Sequence, residues 1–245
     1  MDVPHWQPAH RAVRAVLRVV IRLAFVVLTR LHIEGEENLP NDGPLLVVAN
    51  HFHFVDPVAV IRAMPWPLEF IGGSRLPNAP TGVKWLTTLW GTTRVRRGGS
   101  SRDALRAAEA VLSSGGIFGI FPEGGSWASV LRPARPGAAY LAAKTGARIL
   151  PIGLDGLSDV FPSLRRFRRA RVTIRIGVPF GPFDPAPRGR EGRKALDRIG
   201  ETIMRRIADL IPPEQRGVFS DDPAVRDAAR EAAVYPWDLG REGES

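Results

Sequence analysis

The stretch LLVVANHFHFVDP, residues 45–57, decides how the rest of the sequence is interpreted. It opens with a short run of apolar residues, which is typical of a strand buried on both faces of a sheet. It closes with Asp56-Pro57, and this pair predicts a helix that has Asp56 as N-cap and Pro57 in its first turn. We therefore predict an α/β unit whose loop, residues 50–55, lies at the carboxyl end of a buried strand.

The remainder of the chain alternates between short apolar runs and helical patterns. Strands are predicted over 45–49, 68–71, 92–96, 117–121, 148–152 and 171–176, and helices over 57–64, 81–89, 101–114, 134–146 and 190–211. This alternation predicts one α/β domain, residues 33–213, with a mixed and largely buried β-sheet flanked by helices. Residues 214–245 are polar and weakly patterned, so we expect a peripheral C-terminal tail.

Residues 1–32 are predicted to form an amphipathic helical segment in front of this domain. Four arginines stack on one face of the helix, with apolar residues around the rest: Arg11, Arg14, Arg18 and Arg22. Such a helix suits the surface of an anionic membrane, but an ordinary helix packed on the domain would show the same pattern. No run reaches the roughly 18 apolar residues that cross a bilayer.

Composition limits the function further. The chain of 245 residues has no cysteine, which excludes disulfides, thiolate metal sites and a cysteine nucleophile. The formal net charge is +9, so we expect an anionic partner such as an anionic membrane surface or a phosphorylated substrate. The arginines are dispersed and no nucleic-acid-binding motif is present, so a nucleic-acid partner is not expected.

His51 and Asp56 are the first candidate catalytic residues. The loop after the first strand would return the Asp56 carboxylate to the Nδ1–H of His51, leaving Nε2 as a base. Such a base takes a proton from an attacking hydroxyl and typically contributes ~10²–10⁴-fold to the rate. A metal site shared by His51 and His53 lacks an evident third ligand, so no metal is predicted.

Two further groups of residues have the composition of a binding site. Glu123 follows the strand at 117–121 and precedes Gly124 and Gly125, whose backbone N–H groups could approach a ligand closely. Ser126 half-matches a serine nucleophile elbow, but every histidine precedes residue 54, which is the wrong order for a serine hydrolase. Arg97 lies in a glycine turn ahead of a helix and suits a phosphate.

Taken together, these motifs resemble the glycerolipid acyltransferase family, of the 1-acylglycerol-3-phosphate acyltransferase type. The matching motifs occur in the family's order over residues 33–211: His51-x4-Asp56, then Arg97, then Phe121-Pro122-Glu123-Gly124, then Pro151. The resemblance implies that His51 is the general base, oriented by Asp56, and that Arg97 binds the acceptor phosphate. It also implies that Glu123 contacts the acceptor beside Gly124 and Gly125. Pro151 takes a structural or acyl-pocket role, and Ser126 lies near the oxyanion or acyl pocket.

This sequence departs from the family pattern at three positions. His53 stands where the family often has serine. Arg96 stands where an Asp or Glu is common before the arginine that matches Arg97. Ser126 stands where the family often has a phosphate-binding arginine. Arg132 or Arg135 could substitute for that arginine, or the acceptor lacks the phosphate. The acceptor is therefore left open between lysophosphatidate and another lysolipid or glycolipid.

The resemblance implies an O-acyltransferase of phospholipid biosynthesis. It would move a fatty acyl group from acyl-CoA or acyl-carrier protein to a lysophospholipid, without a cofactor. We expect a cytoplasmic protein held peripherally on the cytoplasmic face of the membrane. The distant alternative is a non-catalytic basic protein that binds membranes or nucleic acid.

Overall fold

The structure is a computed structural model that describes residues 8–72, 90, 93–94, 101–126 and 128–232. Within these residues the strands form one sheet in the order β1-β7-β6-β2-β5-β3-β4. The strands are β1 Thr29–Glu34, β2 Leu45–Ala49, β3 Glu69–Gly72, β4 Thr93–Arg94, β5 Ile117–Ile120, β6 Arg148–Asp155 and β7 Ala170–Ile176. Every neighbouring pair is parallel except β6 and β7, which are antiparallel. The predicted α/β domain with a mixed sheet is thus confirmed.

Helices cover both faces of this sheet. In the described part of the chain they are α1 Pro8–Leu28, α2 Asp56–Ala63, α3 Ser101–Ser113, α4 Pro136–Thr145, α5 Val160–Arg165, α6 Gly189–Ala208 and α7 Pro223–Ala228. The helix predicted over 81–89 lies outside the described residues, as does most of the strand predicted over 92–96.

Strand β2 separates two hydrophobic cores because its side chains alternate between the two faces. Leu45, Val47 and Ala49 face a core that contains residues of α1, α2 and α5. Leu46 and Val48 face a second core formed with α3, α4 and α6. This double burial explains why the strand is apolar at every position.

Asn50 extends the pairing of β2 with β6 beyond the last residue of β2. Its side-chain Nδ2 donates to the carbonyl of Leu154 at 2.9 Å, and its Oδ1 accepts from the Leu154 N–H at 2.8 Å. Both groups are buried, so the side-chain amide takes the place of a backbone peptide in the ladder. The backbone that leads into the next residue, His51, is therefore fixed in position at the carboxyl edge of the sheet.

The N-terminal helix packs on the domain through part of its arginine side, which agrees with the second of the two alternatives that the sequence left open. Arg14 is only 8% exposed, and it bonds to both carboxylate oxygens of Glu69 and to the Trp90 carbonyl. Arg18 donates to the carbonyls of Met64 and Pro65. Packing on the domain holds for Arg14 and Arg18, because internal acceptors satisfy their guanidinium groups, whereas Arg22 is exposed.

The outward side of α1 is apolar instead. The exposed residues on this side are Val13, Val16, Val19, Val20, Leu23, Val26 and Val27. Ile21 and Phe25 point the other way and are buried in the core. Among the described residues, no helix is both long and apolar enough to span a bilayer.

Two predicted boundaries differ from the structure. The N-terminal helix was expected to reach residue 32, but it ends at Leu28 and residues 29–34 form strand β1 beside β7. The tail was expected to be peripheral from residue 214, yet Gln215 accepts from the Leu131 N–H, and Phe219 packs on the second core. Contacts between distant parts of the chain set both boundaries, and local patterns do not reveal them.

We predict that Asn50→Ala destabilises the protein by about 2–4 kcal/mol, because it leaves the buried N–H and C=O of Leu154 unpaired. Urea unfolding followed by circular dichroism measures this change. Asn38→Ala is the matched control, since it removes the side-chain bond from Asn38 Nδ2 to the Ile176 carbonyl and should cost about 1 kcal/mol. Equal losses in the two variants would contradict the role assigned to Asn50.

Candidate active site

His51 and Asp56 form a hydrogen-bonded pair at the carboxyl edge of β2. The Nδ1 atom of His51 lies 3.0 Å from Oδ2 of Asp56. Asp56 is 2% exposed, whereas the His51 side chain is 14% exposed. The carboxylate accepts the proton on Nδ1, so the unprotonated nitrogen that can act as a base is Nε2. The sequence-predicted pair is therefore in contact, and its histidine reaches the surface.

The Asp56 carboxylate also organises the loop that carries His51. Its Oδ2 accepts from the backbone N–H groups of Phe52 and His53, both at 2.7 Å. Asp56 was expected to be the N-cap of α2, but it is the first residue of that helix and Val55 is the N-cap. The carboxylate is directed back toward the loop because the N–H groups and the imidazole all approach it from there.

Phe121 holds the other side of the His51 ring. The two rings stack with centroids 4.2 Å apart and an interplanar angle of 26°. Phe121 directly follows β5, the neighbour of β2 in the sheet. The imidazole is thus held by a carboxylate at Nδ1 and by an aromatic ring on one face.

Glu123 was expected to contact the acceptor, but the structure places its carboxylate inside the protein with no exposed surface. Oε1 accepts from the His51 N–H at 2.8 Å, and Oε2 accepts from the Arg132 N–H at 3.2 Å. The side chain therefore joins the His51 loop to the segment that leads into α4. In the structure this carboxyl group holds the His51 backbone.

Arg132 is the buried partner of Glu123. Its Nε lies 3.4 Å from Oε2 of Glu123, and its guanidinium also donates to the Gly125 carbonyl. Arg132 is 1% exposed, so the expectation that it takes over a phosphate at the surface is wrong. Burial raises the pKa of Glu123 from 4.5 to about 8, against the opposing effects of the His51 N–H and the Arg132 guanidinium.

The glycines after Glu123 shape a turn. Gly124 is exposed with φ of 75°, and its N–H donates to the Phe121 carbonyl at 3.0 Å. That N–H closes the turn, so it does not point at a ligand as the sequence analysis expected. Gly125 and Ser126 are buried behind it, which removes Ser126 from the position of an exposed nucleophile.

Two other predicted site residues, Arg97 and Pro151, are not among the described residues that form this cluster. Arg97 is outside the described residues. Pro151 is buried in β6 opposite Val48, and a side chain at Gly177 would meet its ring. This surrounding favours the structural role for Pro151.

His53 is close to the pair but makes different contacts. Burial lowers the pKa of His53, and this effect outweighs the opposing Asp56 carboxylate. Its ring lies 4.4 Å from Phe54 and 6.0 Å from Phe161, centroid to centroid. Within the described residues no group of His, Cys, Asp and Glu is arranged to hold a metal ion.

Comparison with known proteins decides the family. A family model described as Acyltransferase matches residues 30–155, more than half of the chain. The chain belongs to this acyltransferase family. The matched range contains β2, the His51–Asp56 pair and the Glu123–Arg132 pair.

Named relatives are 1-acyl-sn-glycerol-3-phosphate acyltransferases. The chain is 28% identical over 194 residues to one from Chlamydomonas reinhardtii, covering 77% of the chain and 55% of the relative. It is 31% identical over 138 residues to a chloroplastic one from Arabidopsis thaliana, covering 55% and 38%. The chain thus spans about half, or less, of the length of these two relatives.

A solved structure shares the architecture of this chain. It is the 1-acyl-sn-glycerophosphate acyltransferase of Thermotoga maritima, with a TM-score of 0.58 and 27% sequence identity. The match covers 79% of each chain.

Sequence reasoning missed some of the residues that build this candidate site. Asn50 was included in the loop 50–55 without a role, and Phe121 was named in the third motif without one. The position of each, directly after a buried strand, was the available signal. Arg132 carried no such signal, because nothing in its local sequence indicates that it is buried against Glu123.

We predict that Arg132→Met destabilises the protein more at pH 9 than at pH 6. The unfolded chain releases the Glu123 proton near pH 4.5, whereas the folded chain holds it to about pH 8. Between these values the folded state binds more protons, so raising the pH lowers the free energy of unfolding. Without Arg132 the pKa rises further, and the loss at pH 9 should reach about 3–5 kcal/mol.

Urea unfolding at both pH values measures this effect. In the double variant Glu123→Gln/Arg132→Met, the loss in the free energy of unfolding should be the same at pH 6 and pH 9. The exposed pair Arg205–Glu201 offers a matched control, Arg205→Met, with a cost below about 1 kcal/mol at either pH. A loss in Arg132→Met that is the same at pH 6 and pH 9 would contradict the charge coupling.

Proposed function

We propose that this chain is an O-acyltransferase that moves a fatty acyl group from acyl-CoA or acyl-carrier protein to the hydroxyl of a lysophospholipid. The acceptor is 1-acylglycerol-3-phosphate, and the product is phosphatidic acid. The observation that carries the proposal is the His51 Nδ1–Asp56 contact at 3.0 Å, with His51 partly exposed at the carboxyl edge of the sheet. The names of the relatives supply the acceptor class.

The reaction needs one base and no covalent intermediate. Nε2 of His51 takes the proton of the acceptor hydroxyl as the hydroxyl oxygen attacks the thioester carbon. The resulting tetrahedral intermediate expels the thiolate, and the proton on Nε2 passes to the departing sulfur. A new ester bond replaces the thioester bond, and the protein returns to its starting state. Asp56 stabilises the transient positive charge on the imidazole.

Glu123 acts in this scheme without touching substrate. Its carboxyl oxygen fixes the His51 N–H at 2.8 Å, while the Asp56 carboxylate fixes Nδ1 of the same residue. The base is thereby held by both its backbone and its side chain before substrate arrives. Preorganisation of this kind places reacting atoms in a productive geometry and lowers the entropic barrier.

A second acceptor class, another lysolipid or a glycolipid, keeps the same chemistry. The buried position of Arg132 and the serine at 126 favour it, because neither supplies a surface cation for a phosphate. A panel of lysolipids, with and without a headgroup phosphate, separates the two when products are identified by mass spectrometry.

We predict that His51→Ala lowers kcat/KM about 10²–10⁴-fold through loss of the base. The assay measures thiol released from acyl-CoA or acyl-carrier protein with lysophosphatidate. His32→Ala is the control, since His32 lies on β1 with its side chain largely exposed. Equal turnover by wild type and His51→Ala would refute the base, and no turnover on any acceptor would favour a non-catalytic binding protein.

The apolar side of α1 gives this enzyme a means of reaching a lipid substrate. Its valines and leucine are exposed although the opposite side of the helix is packed on the domain. A helix lying in the interface buries such a surface among lipid headgroups and acyl chains. We place the protein peripherally on the cytoplasmic face of a membrane, with α1 as one contact.

We predict that Val16→Gln/Leu23→Gln lowers binding to vesicles about tenfold or more, because these two exposed side chains would otherwise be buried in lipid. Vesicle flotation measures the bound fraction. Val178→Gln is the control, as Val178 is equally exposed and lies outside α1. An unchanged bound fraction in the double variant would remove α1 from the interface.

A further inference from the structure

Residues 161–169, FPSLRRFRR, form an exposed segment of apolar and basic side chains that the catalytic chemistry does not use. It contains α5 and the turn that leads into β7. Phe161 and Leu164 are exposed, and so are Arg165, Arg166 and Arg168. We call residues 161–169 the Phe–Arg segment.

Phe167 is the most unusual residue of this segment. Its side chain is 98% exposed, and its φ of 53° places the backbone in the left-handed region. A bulky residue in this region is a backbone outlier that glycine or asparagine would relieve. A large aromatic side chain is therefore held in solvent at a position where folding alone would favour another residue.

The segment borders the loop that carries the catalytic histidine. The Phe161 ring lies 5.5 Å from Phe54 and 6.0 Å from His53, measured between centroids. His53 in turn donates its backbone N–H to Asp56, the partner of His51. A surface bound to the Phe–Arg segment would thus lie next to the catalytic loop.

Arg169 connects the segment to the end of α1. Its Nε donates to the Thr29 carbonyl at 2.9 Å, and its Nη2 donates to the Val26 carbonyl at 2.6 Å. Val26 and Val27 are exposed at this end of the helix. Arg169 therefore joins the Phe–Arg segment to the carboxyl end of α1, where Val26 and Val27 are exposed.

The charge of this region favours an anionic occupant. The acidic group next to it in the chain is Asp159, and Arg171 adds a further exposed cation on β7. On the neighbouring β1, Glu34 is paired with Arg175 and His32. Arginines interleaved with exposed phenylalanine and leucine suit a lipid interface, where the rings enter the headgroup region and the guanidinium groups bind phosphates.

From these observations we propose that the Phe–Arg segment is a second membrane contact, selective for anionic lipid, which presents the His51 edge to the bilayer. The proposal rests on the proposed function in one respect, that the acceptor is a membrane lipid. It is distinct from the contact made by α1, because its binding depends on the charge of the lipid.

Vesicle flotation without acyl donor or acceptor tests the proposal, using phosphatidylcholine vesicles with or without phosphatidylglycerol. Arg165→Gln/Arg166→Gln/Arg168→Gln should lower partition onto anionic vesicles on the order of a hundredfold, and leave partition onto neutral vesicles unchanged. The control Arg188→Gln/Arg190→Gln/Arg193→Gln removes the same charge at exposed positions around the start of α6 and should change partition less than about threefold.

Phe167→Gly separates a lipid role from a structural one. Glycine relieves the positive φ, so the melting temperature should stay equal or rise. Partition onto anionic vesicles should nevertheless fall about tenfold. Unchanged partition of this variant would overturn the proposal.

Equal losses in the Arg165/Arg166/Arg168 variant and its control would also overturn it. The proposal would also be overturned if the Arg165/Arg166/Arg168 variant bound vesicles as the wild type does but turned over acyl-carrier protein, and not acyl-CoA, more slowly. The segment would then bind an acidic protein. Since the flotation contains no substrate, inactivity of the wild-type protein in the acyl-transfer assay would refute the proposed function and leave this measurement valid.

Discussion

The buried carboxyl group of Glu123 is the interaction on which the arrangement of the site depends. It accepts from the backbone of the His51 loop and from Arg132, so it joins segments that follow β2 and precede α4. A carboxyl group is costly to bury, and the raised pKa of Glu123 expresses that cost. The structure tolerates this cost because the buried carboxyl group fixes the backbone of His51.

Much of the architecture follows from hydrophobic pattern alone. The run 45–49 had to be a strand buried on both faces, and β5 and β6 followed from similar runs. Strand β7 followed from the alternation of its side chains. Strand β1 alternates in the same way but was missed because it directly continues a long helix. Its pairing with β7, which is distant in sequence, makes it a strand, and no local signal reports that pairing.

The parts of the candidate site that lie close together in the sequence were predictable. The parts that depend on packing between distant segments were not. The spacing from His51 to Asp56 brought the two side chains together as expected. The role of Glu123 was not predictable, because a glutamate before two glycines is also the pattern of an exposed turn. Burial against Arg132 distinguishes the two, and burial is a property of the whole fold. The arginines of α1 illustrate the same limit, since Arg14 pairs with Glu69 in the interior.

The proposed seating of α1 on a bilayer would have a kinetic consequence. An enzyme seated on a bilayer through such a helix meets its acceptor in two dimensions, as a mole fraction of the surrounding lipid. Diluting the acceptor with inert lipid at constant bulk concentration would then slow turnover, whereas diluting the whole suspension would not. The water-soluble thioester would remain subject to ordinary three-dimensional saturation.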